Sequence, residues 1–174
     1  WGGIVGEDGF EGIKLGDDPV GRSYVEFQHN LLALNQRGIL LAINSKNNFD
    51  DAIQVINEHP NMVLKEENFA CIRINWNDKV TNMKEISDEL NIGLDSMVFL
   101  DDDPANIEYV NSNLPEISSI HIPADNCHNN SLHLKSISSS FNALKITDED
   151  KTRNQMYLEQ RKRTELKTQV GNLE

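Results

Sequence analysis

Cysteine is scarce in this chain. Its 174 residues hold only Cys71 and Cys127, with no C-x-x-C pair. That argues against a disulfide scaffold and favours a reducing compartment, so a cytoplasmic location is expected. Cys71 reads as a buried strand thiol rather than a nucleophile. Basic residues are also short: 16 Lys and Arg stand against 28 Asp and Glu, a formal net charge of −12. Such a surface repels phosphate backbones and anionic membranes, so neither is expected as a partner. Long hydrophobic runs are missing. The longest, Ile39 to Ile43, falls far short of the ~20 residues that cross a bilayer. No signal peptide pattern and no internal repeat is visible. The first residue is Trp1 rather than Met, which predicts a fragment, a processed chain or a trimmed one.

What is present suits one globular domain with a full core: 38% apolar and 25% charged residues. Residues 1–18 are glycine-rich and acidic and predict a turn-bearing hairpin or flap. Pro19 opens a helix, Tyr24, Phe27, Leu31 and Leu34 recur at helical spacing, and Gly38 stops it. Ile39 to Ile43 reads as a strand covered on both faces. Asp50 or Asp51 caps a helix running to about His59, with Ala52, Ile53 and Ile56 facing in. Met62-Val63-Leu64 predicts a short strand, and Cys71 to Ile74 a strand or extended connector. A helix from Thr81 carries Met83, Ile86 and Leu90. Met97 to Leu100 is a buried strand, Pro104 opens a helix with Ile107 and Val110, and Ile117 to Ile122 is a further strand. This alternation predicts an α/β fold with a doubly wound parallel sheet.

Residues 124–145 are rich in Asn, Ser and His. A zinc site from His121, Cys127, His128 and His133 is conceivable, but one Cys at loose spacing favours a polar surface loop. Thr147 and Asp150 resemble an N-cap pair, and 148–170 reads as a highly charged, solvated or domain-linking helix with Met156 and Leu166 as sparse apolar points. The expected division is a domain over 1–145 and a charged linker helix over 146–174.

In an open parallel sheet, ligands bind outside the carboxyl ends of the strands. Ser45 follows the first apolar run, Asp101-Asp102-Asp103 follows Leu100, and Lys79 lies between them. Each has a plain structural reading. Ser45 can cap a turn, Lys79 can be a surface lysine, and an Asp can cap the Pro104 helix. But one cap needs one Asp. Adjacent carboxylates repel at a strand end, and a divalent cation such as Mg²⁺ removes that repulsion.

The order hydroxyl, lysine, double aspartate resembles motifs two to four of the haloacid dehalogenase-like superfamily. The stretches Trp1-Gly2-Gly3-Ile4-Val5-Gly6-Glu7-Asp8-Gly9, Ser45-Lys46-Asn47-Asn48, Arg73-Ile74-Asn75-Trp76 and Phe99-Leu100-Asp101-Asp102-Asp103-Pro104 are similar to subfamily IIIC, the FkbH-like proteins. The similarity runs from Trp1 to about Ile122, and the charged 148–170 helix also resembles the segment that follows this domain there. The resemblance implies a Rossmann-like, Mg²⁺-dependent phosphatase or phosphoryl-transfer domain acting on a small phosphorylated substrate. Ser45 is expected to donate to a phosphoryl oxygen, Lys79 to neutralise it, and Asp101 and Asp102 to hold Mg²⁺. Asp103 is the weaker candidate, since relatives often carry Asn there. In the family an Asp-x-Asp-x-Thr motif immediately precedes the Trp-Gly-Gly stretch and supplies the nucleophile and the acid/base. This chain lacks it, so activity is expected of the whole protein and not of this chain alone.

FkbH-like proteins are associated with loading a glyceryl unit from a phosphorylated glycerate onto an acyl carrier protein, which makes such a carrier a candidate partner. That acyl transfer is linked to a cysteine beside the motif-two serine. Asn44 stands there instead, which favours phosphatase chemistry over thioester formation. Two rivals remain. A signalling receiver domain is also acidic and Mg²⁺-binding, but its acidic pair comes early and its lysine last. A non-catalytic interaction module fits the absent nucleophile but leaves Ser45, Lys79 and the aspartates without a purpose.

Overall fold

The protein is described by a computed structural model over residues 1–124 and 148–171. The glycine-rich start closes on itself through an antiparallel bridge: Gly2 N–H donates to Lys14 O at 3.1 Å and Lys14 N–H to Gly2 O at 2.8 Å. The expected flap also contains one helical turn, α1 (Val5–Asp8), not foreseen from its glycines. Ile4 N–H donates to Asp8 Oδ2 at 2.8 Å across that turn, and Val5 packs with Ile13 and Val55.

Helix α2 (Pro19–Gln36) starts where Asp18 Oδ1 accepts the N–H groups of Val20 and Gly21, with Pro19 in the first turn. It ends at Gly38, whose φ of 98° lets Ile39 N–H fold back onto Leu34 O. Strand β1 (Leu41–Lys46) then begins two residues later than the apolar run and extends through Ser45. Helix α3 (Phe49–Glu58) is preceded by Asn48, so Asp50 and Asp51 lie inside its first turn rather than at its cap. There they complement the helix dipole.

Met62 to Leu64 is not a strand. The N–H groups of Val63 and Leu64 both donate to Gln28 Oε1 of α2, at 2.9 and 3.0 Å, and so have no strand partner. A short 3₁₀ turn (Glu66–Asn68) leads into β2 (Phe69–Asn75), parallel to β1 with Asn44 opposite Arg73 and Ser45 opposite Ile74. Helix α4 (Lys79–Leu90) starts two residues before Thr81 because Asp78 is its cap. Asp78 accepts from Thr81 N–H at 2.9 Å and Thr81 Oγ1 at 2.6 Å. Strand β3 (Val98–Asp101), α5 (Pro104–Asn113) and β4 (Ser118–His121) complete the body, with β3 and β4 parallel.

Among the described residues the strands form two parallel pairs, β1–β2 and β3–β4, rather than one continuous sheet. Helix α4 ties the pairs together. Its Val80 and Met83 pack with Phe99, Val110, Leu114 and Ile117, and its Ile86 and Leu90 with Ala70 and Cys71. A second core joins Leu15, Leu41, Ala52, Ile56, Phe69 and Ile74. Both pairs point their carboxyl ends, Lys46, Asn75 and Asp101, toward the loops that carry Asn47, Trp76 and Asp102.

Helix α6 (Asp148–Gly171) is highly charged, with Met156 and Leu166 exposed, as its sequence predicts. It is not fully solvated, however. Tyr157 Oη donates to Leu90 O at 2.6 Å. Arg161 donates to Glu66 O at 2.9 Å and Phe69 O at 2.6 Å, and pairs with Glu66 at 2.7 Å. The helix thus docks at the amino end of β2. The division expected at 145/146 falls outside the described residues. Among them, no helix is long and apolar enough to cross a membrane.

Candidate active site

Lys79 is the first residue of α4. A positive charge there opposes the helix dipole, and it is also buried, at 7% exposure. Neither circumstance suits an ordinary surface lysine. Two partners hold it: Lys79 Nζ donates to Asn44 O at 2.7 Å and pairs with Asp101 Oδ2 at 3.1 Å. The ammonium therefore spans from the end of β1 to the end of β3, between the two strand pairs. A charge placed against its helix dipole and out of water is the kind of local conflict that proteins tolerate at functional sites.

The three aspartates have three different environments. Asp101 Oδ1 accepts Asp103 N–H at 2.9 Å and Asn106 Nδ2 at 3.0 Å, so both its oxygens are engaged. Asp103 caps α5 by accepting Ala105 N–H at 2.8 Å. This is the single cap that the run of acids needs, and it sets Asp103 apart from the other two. Asp102 is exposed, and its carboxylate has no hydrogen bond to a described residue. Its backbone carbonyl lies 3.0 Å from His121 Nε2. The start of the chain lies near Asp102.

Ser45 is next to Asn44 on β1, half-buried, and its hydroxyl makes no hydrogen bond with a described residue. Lys79 and Asp101 are thus brought into direct contact, while Ser45 and Asp102 adjoin the pair along the chain, one residue after Asn44 and Asp101. Among the described residues, no group of three or more His, Cys, Asp and Glu converges on one metal position. Asp101 and Asp102 supply two carboxylates and only oxygen donors. That set suits Mg²⁺, which keeps several waters and takes further ligands from substrate phosphate.

The sequence did not reveal how Lys79 is held. Asn44 Nδ2 donates to Lys79 O at 2.9 Å, and Asn82 Nδ2 donates to Asn44 Oδ1 at 3.0 Å. Asn82 also exchanges hydrogen bonds with Asn75, at 3.0 and 3.1 Å. The available signal was a polar residue in the inward stripe of α4, between Lys79 and Ile86.

Other candidates fall away from the rim. Cys71 is buried, and burial together with the Glu89 carboxylate pushes its thiol up to about 12, as fits an inert strand residue. Of the conceivable zinc group, Cys127, His128 and His133 lie outside the described residues. An open cavity of ≈ 250 Å³ lies where α6 docks, lined by residues including Asn57, Lys65, Glu66 and Arg161. Its polar groups bind one another: Arg161 to Glu66, Asn57 to Glu66 and Lys65 to Asn57 O.

Parallel strands, a mixed α/β order and an acidic rim around a buried ammonium are consistent with a Rossmann-like phosphatase domain. No family model matches the chain, and no curated protein matches it. Among solved structures the chain is similar to the N-terminal part of the protein BF1531 from Bacteroides fragilis, which contains a phosphatase domain and was crystallised complexed with Mg. The two are 39% identical, with a TM-score of 0.74, over 78% of this chain and 36% of that one. The chain therefore spans about a third of the length of that neighbour.

Proposed function

We propose that this chain is the greater part of a Mg²⁺-dependent phosphatase or phosphoryl-transfer domain of the haloacid dehalogenase-like, FkbH-like type. The observation that carries the reading is the Lys79 ammonium, buried between Asn44 O and Asp101 at the carboxyl ends of the strands. The likeness to a phosphatase domain complexed with Mg supports it.

Phosphoryl transfer asks the protein mainly for positioning and charge stabilisation. Lys79 stabilises charge on the transferring phosphoryl group, already oriented and desolvated before substrate arrives. Ser45 donates its free hydroxyl to a phosphoryl oxygen. Asp102, with an open carboxylate, and Asp101 hold Mg²⁺, which when bound neutralises phosphate charge. The flap from Gly2 to Gly16 covers the site and helps exclude water. The nucleophile comes from an Asp-x-Asp-x-Thr segment ahead of the Trp-Gly-Gly stretch. One more parallel strand between β1 and β3 would join the two pairs into a single doubly wound sheet and end beside Lys79.

The substrate is a small phosphorylated molecule. A phosphorylated glycerate or a carrier-protein intermediate fits the resemblance. The side chain of Asn44, engaged with Lys79 and Asn82, offers no thiol for acyl transfer, so phosphate release is the favoured chemistry.

The test is calorimetric Mg²⁺ binding to the whole protein. Asp102→Asn should weaken it by about tenfold or more, through loss of a charged oxygen ligand. Equal affinity in the variant would remove Asp102 from the metal site.

A further inference from the structure

A buried asparagine that touches no substrate fixes the geometry of this rim. We propose that Asn82 is the positioning residue for the Lys79 ammonium. The proposal rests on the phosphoryl-site reading of Lys79. Asn82 is fully buried, at 0% exposure. Its Nδ2 donates to Asn44 Oδ1 on β1 and to Asn75 Oδ1 on β2, both at 3.0 Å. Its Oδ1 accepts from Asn75 Nδ2 at 3.1 Å. One side chain of α4 therefore binds the carboxyl ends of both strands of the first pair.

The network permits one arrangement of its amides. Asn44 cannot reverse its amide, because its Nδ2 is committed to Lys79 O at 2.9 Å. Asn75 cannot, because its Oδ1 also accepts Asn77 N–H at 3.0 Å. Asn82 must therefore present its NH₂ to two carbonyl oxygens and its own carbonyl to Asn75. Only a short primary amide does both. A buried polar network satisfied at every member rigidifies its site, and a half-satisfied one is costly.

Lys79 lies three residues before Asn82, on the same face of α4. Turning that face away from β1 would break the Asn82 bonds and the two bonds between Lys79 and Asn44 together. Asn82 thus keeps the ammonium against Asn44 O, within reach of Asp101. The aspartate alone would let a flexible lysine stem adopt other rotamers.

The experiment observes the Lys79 ammonium of this chain directly, by ¹H–¹⁵N correlation at low temperature, with Lys79→Met to assign the signal. The wild-type chain should show a protected ammonium resonance. Asn82→Asp, which sets a carboxylate against two carbonyl oxygens, should raise its exchange with water by about tenfold or more. Circular dichroism confirms that the variant remains folded. Should Asn82→Asp fail to fold, Asn75→Ala removes one partner at the half-buried edge and should give the same effect more weakly. A purely structural Asn82 would lower Tm and leave the ammonium signal unchanged, which would overturn the proposal. A wild-type ammonium already in fast exchange would overturn it as well. Failure of the phosphoryl-site reading is a separate result: Lys79→Ala would keep full Mg²⁺-dependent phosphate release while the exchange effect of Asn82→Asp persisted.

Discussion

Lys79 Nζ lies 3.1 Å from Asp101 Oδ2, and the two side chains are only 8% and 7% exposed. The pair bridges strand pairs that share no hydrogen bonds, so it is structural whatever its chemistry. Removing one partner of a buried pair leaves the other charged and desolvated. Lys79→Met should destabilise the chain by about 3–5 kcal/mol, and Asp101→Asn added to it should recover part of that loss. Urea unfolding of both single variants and the double variant measures the coupling. Strict additivity would mean that the two groups do not interact.

The docking of α6 depends on Arg161, which binds two main-chain carbonyls and Glu66 at the start of β2. Arg161→Ala should destabilise by about 1–3 kcal/mol through the carbonyls left without their donor. Hydrogen exchange should rise along α6 and leave α4 unchanged. Unchanged protection of α6 would show that Arg161 is not needed to hold it.

His59 gives the flap a pH dependence. Its ring packs 5.3 Å from Phe10, and its Nδ1 accepts Asn61 N–H at 3.2 Å. Burial holds its pKa below the ordinary value, Lys65 pushes the same way, and Glu11 opposes them. A histidine with a depressed folded pKa binds fewer protons folded than unfolded. Its stability contribution is therefore complete above the unfolded pKa, near 6.5, and declines as pH falls below it. Tm should drop between about pH 7 and about pH 5, and His59→Gln should flatten that drop. An identical slope in the variant would assign the dependence to other groups.

Helix identity was legible wherever apolar residues recur at a 3.6 spacing and a proline opens the first turn, as with Pro19 in α2 and Pro104 in α5. Two starts were misread: α3 begins after Asn48, which makes no side-chain cap bond, and Asp78 rather than Thr81 caps α4. Met62 to Leu64 looked like a strand because three apolar residues have no periodicity, and only the contact with Gln28 decides their state. Ser45, Lys79 and the aspartates were named as candidates from their place after the apolar runs and from their order. That Asp101 grips Lys79 while Asp103 caps α5 could not be read, because three identical residues differ only in their neighbours. The Asn44–Asn82–Asn75 network was hidden for the same reason. Its members are far apart in sequence, and asparagine is usually a surface residue.

The account turns on whether Lys79 serves a phosphoryl group. The direct measurement is Mg²⁺-dependent phosphate release from a small phosphomonoester by the whole protein, wild type against Lys79→Ala, with Tm monitored alongside. The predicted result is activity that needs Mg²⁺ and falls by on the order of 10² or more in folded Lys79→Ala. A variant that releases phosphate as fast as the wild type would contradict it.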